Sequence, residues 1–241
     1  MKIVGIDSSG LVASVALVCD GVLVGEYTIN NKKTHSQTLL PMLEAMLTMA
    51  EVDISEIDAV AVAAGPGSFT GLRIGASTAK GLAGALNIPI VPVPTLVGLA
   101  ANFMNRESLV CPLMDARRNQ AYFGIYECGE KKIKPMCEEA ALPIEEIIEK
   151  VNQMNRDVIF LGDGVPVFKQ TLEENVVVPF SFAMPQDNCQ RAGNIAALGE
   201  IYLAEGKKMP AREFAPFYLR LSQAEREREQ REQVEKITTG K

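Results

Sequence analysis

Residues 2–10 read Lys2-Ile3-Val4-Gly5-Ile6-Asp7-Ser8-Ser9-Gly10, and residues 109–119 read Leu109-Val110-Cys111-Pro112-Leu113-Met114-Asp115-Ala116-Arg117-Arg118-Asn119. Each is a short apolar run with the character of a buried strand, closed by an aspartate and a tight turn. Each leads into another strand-like run, Val12–Val18 in the first case and Ala121–Tyr126 in the second. The two aspartates stand 108 positions apart. A strand, aspartate, turn, strand unit therefore occurs twice, which reads as an internal duplication, with chance recurrence of a common motif as the alternative.

Working outward, Asp20-Gly21 signals a hairpin leading to a third strand, Val22–Ile29, and Val12–Val18 is expected to bury alternate residues. Thr34, with Gln37 three residues on, fits a capping box for a helix running to about Ala50. Asp58–Ala64 is another strand, and Gly65-Pro66-Gly67-Ser68 joins it to a small-residue helix over Phe69–Leu86. Ile88–Val93, broken by prolines, suits an edge strand, with a helix at Thr95–Phe103. The second half continues with a helix at Pro143–Val151, a strand at Asp157–Gly162 and a helix at Asn194–Glu205. The order predicts an α/β protein with mixed sheets flanked by helices. Its units are residues 1–105 and 106–222, with a charged tail over 223–241.

Composition narrows the function. With 47% hydrophobic and 22% charged residues in 241, the chain can bury a sizeable core, and its net charge of −6 excludes a generalised basic surface for nucleic acid. Five scattered cysteines without a CxxC pair fit a reducing compartment rather than a disulfide framework or a zinc site. The start, MKIVGID, lacks the pattern of a signal peptide, and no apolar run reaches the roughly 18–20 residues of a membrane span. A cytoplasmic location is expected. His35 is the one histidine, so His-pair zinc sites and HExxH helices cannot be built. Neither a GxSxG elbow nor a GxxxxGK[ST] loop is present.

Asp7-Ser8-Ser9-Gly10 can present amides and hydroxyls to a phosphate, or can simply make a good turn. Gly65-Pro66-Gly67-Ser68-Phe69-Thr70-Gly71 offers a helix start to an anion, or serves a tight strand-to-helix junction. Ser68 or Thr70 can cap that helix. His35 is a base or lone ligand, or joins the hydrogen bonding at a helix start. Arg117 and Arg118 meet an anionic partner, or are exposed turn residues. At 100° per residue, Leu39, Leu40, Leu43, Met46, Leu47 and Ala50 of the first long helix make a core stripe about 120° wide. Met42, Ala45 and Met49 form a separate apolar strip, suited to a partner protein or to cover by the chain's own second half. The next helix carries Gly75, Ala76, Ala79, Gly81 and Ala83, which permit close helix approach.

The residues resemble the TsaB (YeaZ) family of the acetate kinase/Hsp70/actin-like (ASKHA) superfamily. The matching stretches are Ile3–Ser9, His35-Ser36-Gln37-Thr38-Leu39-Leu40-Pro41, Gly65-Pro66-Gly67-Ser68-Phe69-Thr70-Gly71-Leu72-Arg73-Ile74-Gly75, Asp115–Arg118, Phe160–Gly164 and Tyr218–Arg220. The resemblance implies two RNase H-like subdomains and a non-catalytic subunit. Such a subunit pairs with a TsaD-type catalytic paralogue and a TsaE-type ATPase. The assembly transfers a threonylcarbamoyl group from its adenylate to the adenosine beside the anticodon of tRNAs reading A-starting codons. tRNA then meets this chain only through the complex, and the chain alone forms a homodimer.

The resemblance also implies a partner interface on the first two helices, at Met42, Ala45, Met46, Met49, Gly75, Thr78 and Leu82. The paralogue's HxxxH metal pair falls here on Thr95 and Leu99, which cannot replace imidazole, so no catalytic or metal residue is expected. The paralogue's Gly-Gly-His turn falls on Ala116–Arg118, whose bulk would obstruct a nucleotide. Asp7, Ser8 and Ser9 remain as weak nucleotide contacts. No tightly bound cofactor is expected, and ATP enters only with the partner. The competing expectation is an enzyme, either a glycoprotease-type peptidase or a stand-alone ATPase.

Overall fold

A computed structural model describes residues 1–31, 34–130 and 132–220. The tail expected over 223–241 lies outside the described residues. The first sheet is built from β1 (Lys2–Asp7), β2 (Ala13–Cys19), β3 (Val22–Ile29), β4 (Ala59–Ala63) and β5 (Ile90–Val93), in the order β3-β2-β1-β4-β5. β1, β2 and β3 pair antiparallel, whereas β1, β4 and β5 run parallel. Parallel neighbours need crossovers, and α1 (His35–Met49) and α2 (Phe69–Leu86) supply them. β5 stands at the sheet edge, where its proline is tolerated.

α3 (Thr95–Ala100), extended by a 3-10 turn at Ala101–Phe103, leads into the second half. There the sheet comprises β6 (Ser108–Asp115), β7 (Gln120–Phe123), β8 (Tyr126–Gly129), β9 (Lys132–Pro135), β10 (Ala140–Pro143), β11 (Val158–Leu161) and β12 (Phe180–Phe182). Its main path, β10-β7-β6-β11-β12, repeats the pattern of the first sheet, with β6 in the place of β1. β6 pairs antiparallel with β7 and parallel with β11, as β1 does with β2 and β4. α4 (Ile144–Gln153) and α5 (Val165–Asn175) cover this sheet through Ile147, Val151, Phe168 and Leu172.

Three expectations are corrected. The strand expected over Ala121–Tyr126 is two strands, because the chain breaks at Gly124–Ile125. β7 continues along the inner half of β6 and β8 pairs with its outer half. β2 is buried on both faces rather than alternately. Its second face is covered by α6 (Ala192–Ala204), which leaves the second half and packs Ile195, Ala196 and Leu198 on Ile3, Ala61 and Val93. The approach is close enough that a Cβ at Gly199 would stand 2.4 Å from the Ala61 Cβ. α6 thus follows the second sheet in the chain but packs on the first one. Finally, Thr34 precedes α1 without a side-chain cap. Its hydroxyl lies 3.3 Å from that of Ser36, and the Gln37 amide bonds the Thr34 carbonyl instead.

Candidate functional site: a closed seam and an open helix face

The turns that follow β1 and β11 meet at a seam between the two sheets, where the Leu11 amide bonds the Asp163 carboxylate. Asp7, at the end of β1, is 1% exposed. Its Oδ1 accepts the Ser9 amide at 2.9 Å and the Ser9 hydroxyl at 2.6 Å. Burial pushes its carboxyl up to about 6, against the opposing pull of the Ser9 bonds and of His35. Ser8 donates its hydroxyl to the Gly71 carbonyl at 2.8 Å, and the Ser9 carbonyl accepts the Ser68 amide at 2.7 Å. His35 Nε2 donates to the Gly10 carbonyl at 3.0 Å, so the histidine ties α1 to this turn.

The glycine-rich loop explains itself against the same turn. A Cβ at Gly67 would lie 2.5 Å from the Ser9 carbonyl oxygen, and one at Gly71 would lie 2.1 Å from that of Ser8. Ser68 caps α2 by accepting the Gly71 amide at 3.3 Å. The loop thus brings the start of α2 onto Asp7-Ser8-Ser9 at backbone contact distance. Ser8 and Ser9 are 2% and 0% exposed, and both hydroxyls and the Ser9 amide are bonded inside the protein, so the turn as it stands does not present those groups to a phosphate.

The second turn is different. Asp115 accepts the Arg117 amide at 2.8 Å and pairs with its guanidinium at 3.1 Å. Arg117, Arg118 and Asn119 all adopt left-handed backbone, with φ of 64°, 57° and 57°. Just past the end of the neighbouring strand β11, burial pushes the Asp163 carboxyl up to about 6, opposed by the backbone amides of Asp115 and Leu11 and reinforced by the Asp115 charge. Asp163 Oδ1 and the Gln190 Nε2 are buried without hydrogen-bond partners among the described residues.

A C-terminal strap, which no periodicity announces, crosses the mouth of the seam. The Phe217 amide donates to the Ala64 carbonyl at 2.6 Å. The Tyr218 and Phe69 ring centroids are 4.9 Å apart, and Arg220 donates to the Ala116 carbonyl at 2.7 Å. The strap therefore touches the loop after β4, the start of α2 and the turn after β6. Below it, Thr95 and Leu99 are 0% and 1% exposed. Thr95 Oγ1 accepts the Gly65 amide at 3.2 Å. Among the described residues no cluster of His, Cys, Asp and Glu has a metal-binding arrangement.

The expected interface residues divide. Met42 and Met46 are 5% and 1% exposed and belong to the core with Val15 and Leu17, and Gly75 is buried against the Ser8 hydroxyl. All three are buried in the isolated chain. α1 is gripped by β2, β3 and α2 together, so its buried face is wider than a single stripe. Ala45 is exposed, Met49 is 79% exposed, and Thr78 and Leu82 are half-buried. Leu40, read from the sequence as core, is 56% exposed. It borders a cavity of about 440 Å³ between α1 and α2, together with Phe69, Ile74 and Thr78. Only the direction from which neighbours pack could have told Leu40 from Met42.

The chain matches a family model described as TsaD, tRNA N6-adenosine threonylcarbamoyltransferase, over residues 23–228. It is 32% identical to the tRNA threonylcarbamoyladenosine biosynthesis protein TsaB of Bacillus subtilis, covering 93% of this chain and 96% of that protein. A Pseudomonas aeruginosa crystal structure, described as an uncharacterized protein with similarity to peptidase YEAZ, superposes with a TM-score of 0.76 at 28% identity. It covers 91% of this chain and 99% of that one. The activator of the 2-hydroxyisocaproyl-CoA dehydratase from Clostridium difficile with bound ADPNP superposes at a TM-score of 0.51 with 10% identity, a likeness of fold alone, over 86% of this chain and 97% of that one. The two sheets share one strand topology, and the chain belongs to the TsaB (YeaZ) family, whose place is tRNA threonylcarbamoyladenosine biosynthesis.

Proposed function

We propose that the chain is a non-catalytic subunit. It binds the TsaD-type paralogue and activates it to transfer threonylcarbamoyl from its adenylate to the adenosine beside the anticodon of tRNAs reading A-starting codons. The observation that carries this is the contrast between a closed seam and an open helix face. The Asp7 turn is spent on internal hydrogen bonds, and the positions corresponding to the paralogue's metal ligands hold buried Thr95 and Leu99. The face of α1 and α2 instead offers exposed Leu40 and Met49 beside an open groove. Exposed apolar surface of this kind is what a docking helix pair needs.

A TsaE-type ATPase completes the assembly, tRNA joins through the complex, and the same helix face pairs copies of the chain when the paralogue is absent. ATP enters only with the partner. No helix among the described residues is long and apolar enough to cross a membrane, and the five free cysteines suit the reducing cytoplasm. A peptidase would have to run through His35, whose Nε2 is held by the Gly10 carbonyl. The test is sedimentation of the purified chain with the paralogue, alongside peptide and ATP hydrolysis by the chain alone. A heterodimer with no hydrolysis is expected. No association, or hydrolysis abolished by His35→Ala, would overturn the reading.

A further inference from the structure

Arginines and aromatic rings follow one another across the seam. Arg73, exposed on α2, lies over the Phe69 ring, 4.4 Å from its centroid. Phe69 in turn packs on Tyr218 of the strap at 4.9 Å, with the ring planes 37° apart. Two residues along the strap, Arg220 bonds the Ala116 carbonyl, and Ala116 opens the turn that carries Arg117 and Arg118.

That turn is held, not loose. Left-handed backbone is unfavourable for arginine, yet Arg117 and Arg118 stand there in succession, followed by Asn119, which tolerates it. Asp115 grips the Arg117 amide, Arg220 grips the Ala116 carbonyl, and the Asn119 side-chain amide donates to Glu145 at 3.0 Å. Glycine or asparagine would take up the same backbone at less cost. The second sheet does not need arginine here, because Arg117 is 82% exposed at its side chain and Arg118 is exposed as well. Asp115 pairs with Arg117 and Glu145 accepts from Asn119, so these two acidic groups offset part of the turn's charge and Arg118, Arg73 and Arg220 supply the excess. In a chain of net charge −6, four arginines along one strip make a local exception.

We propose that the strip from Arg73 through Phe69, Tyr218 and Arg220 to Arg117 and Arg118 is an RNA-binding surface. The guanidinium groups contact phosphates, and the aromatic pair offers a plane on which an unpaired base stacks. The proposal rests on the subunit reading and deepens it, since this chain itself then touches the tRNA. Arg73 also lines the groove between α1 and α2, so RNA on the strip lies beside the docked paralogue.

The test measures binding of a fluorescein-labelled, unmodified anticodon stem–loop RNA to the assembled heterodimer across a salt series. For Arg117→Ser/Arg118→Ser, affinity should fall about tenfold, and the salt slope should shrink by about 1.4, near 0.7 for each phosphate of single-stranded RNA that is no longer neutralised. Arg117→Lys/Arg118→Lys should keep most of both. Arg73→Ser, on a different element, should also weaken binding. Unchanged affinity and slope in both serine variants, with the heterodimer intact by sedimentation, would overturn the proposal and leave the subunit reading standing. Loss of the heterodimer in the Arg117→Ser/Arg118→Ser variant would overturn it in favour of an acidic protein contact. Failure of the wild-type chain to form a heterodimer would overturn the subunit reading itself, by a measurement that contains no RNA.

Discussion

Thr95 and Gly65 hold each other twice. The Thr95 amide donates to the Gly65 carbonyl at 2.8 Å, and the Gly65 amide donates to Thr95 Oγ1 at 3.2 Å. This clasp joins the end of β4 to the start of α3, at the position where the catalytic paralogue is expected to carry a metal-binding histidine. The hydroxyl is therefore occupied with architecture. Thr95→Val keeps the volume but leaves a buried amide unpaired, and should lower unfolding stability by about 1–3 kcal/mol in urea. Modification activity per folded molecule should not change.

Met42→Asp and Met49→Asp should separate fold from partner binding. Met42 is 5% exposed, so Met42→Asp buries an unpaired charge and should cost about 3–5 kcal/mol, enough to unfold much of the chain. Met49 is 79% exposed, so Met49→Asp should leave the melting temperature nearly unchanged. It should still weaken paralogue binding by about 2 kcal/mol, roughly thirtyfold. Thermal melts and sedimentation of both variants check the pair of outcomes.

The glycines of α2 should likewise divide. A Cβ at Gly71 would meet the Ser8 carbonyl oxygen at 2.1 Å, so Gly71→Ala must shift backbone and should cost about 3 kcal/mol or more. Gly81 has nothing within 4 Å of its added Cβ, so Gly81→Ala should stabilise the isolated chain by about 1 kcal/mol. If α2 packs closely on the paralogue, the same substitution should weaken the heterodimer. Denaturation and sedimentation read the two effects separately.

Asp7 and Asp163 set an unusual pH dependence. Burial raises both carboxyls to about 6 in the folded chain, above the ordinary aspartate value. The folded state therefore holds these protons more tightly than the unfolded one. Their contribution is present at low pH and is lost as pH rises through about 6. Wild-type stability relative to Asp163→Asn should fall by about 2–3 kcal/mol between pH 4 and pH 7. Asp7→Asn, which still accepts from Ser9, should behave alike. Urea denaturation at several pH values gives the difference directly.

Much of the fold was legible because its strands are apolar and its turns carry strong signals. The helix read over Phe69–Leu86 has those same bounds in the structure, framed by the Ser68 cap and by Asn87 in left-handed backbone. α5 went unread because Val165, Phe168 and Leu172 give it only a thin buried stripe. The break between β7 and β8 was hidden in a continuous strand-like run, because the pairing of each piece with a different half of β6 is a tertiary fact. The closure of the Asp7 turn was hidden for the same reason. Ser8 and Ser9 look like phosphate ligands until the approach of Gly67 and Gly71 is known. Resemblance pointed to the helix face, but only packing shows that Met42, Met46 and Gly75 are buried on it and that Leu40 is exposed.

As the proposed subunit, the chain should make a catalytic paralogue competent without performing chemistry itself. The most direct measurement combines purified TsaD-type and TsaE-type partners, threonylcarbamoyl-adenylate synthase, ATP, threonine, bicarbonate and tRNA, with and without this chain. Mass spectrometry of the digested tRNA reads the modified adenosine. Modification should appear only when the chain is present, and the chain without its partners should produce none. Equal modification in its absence would show that the chain is not the activating subunit.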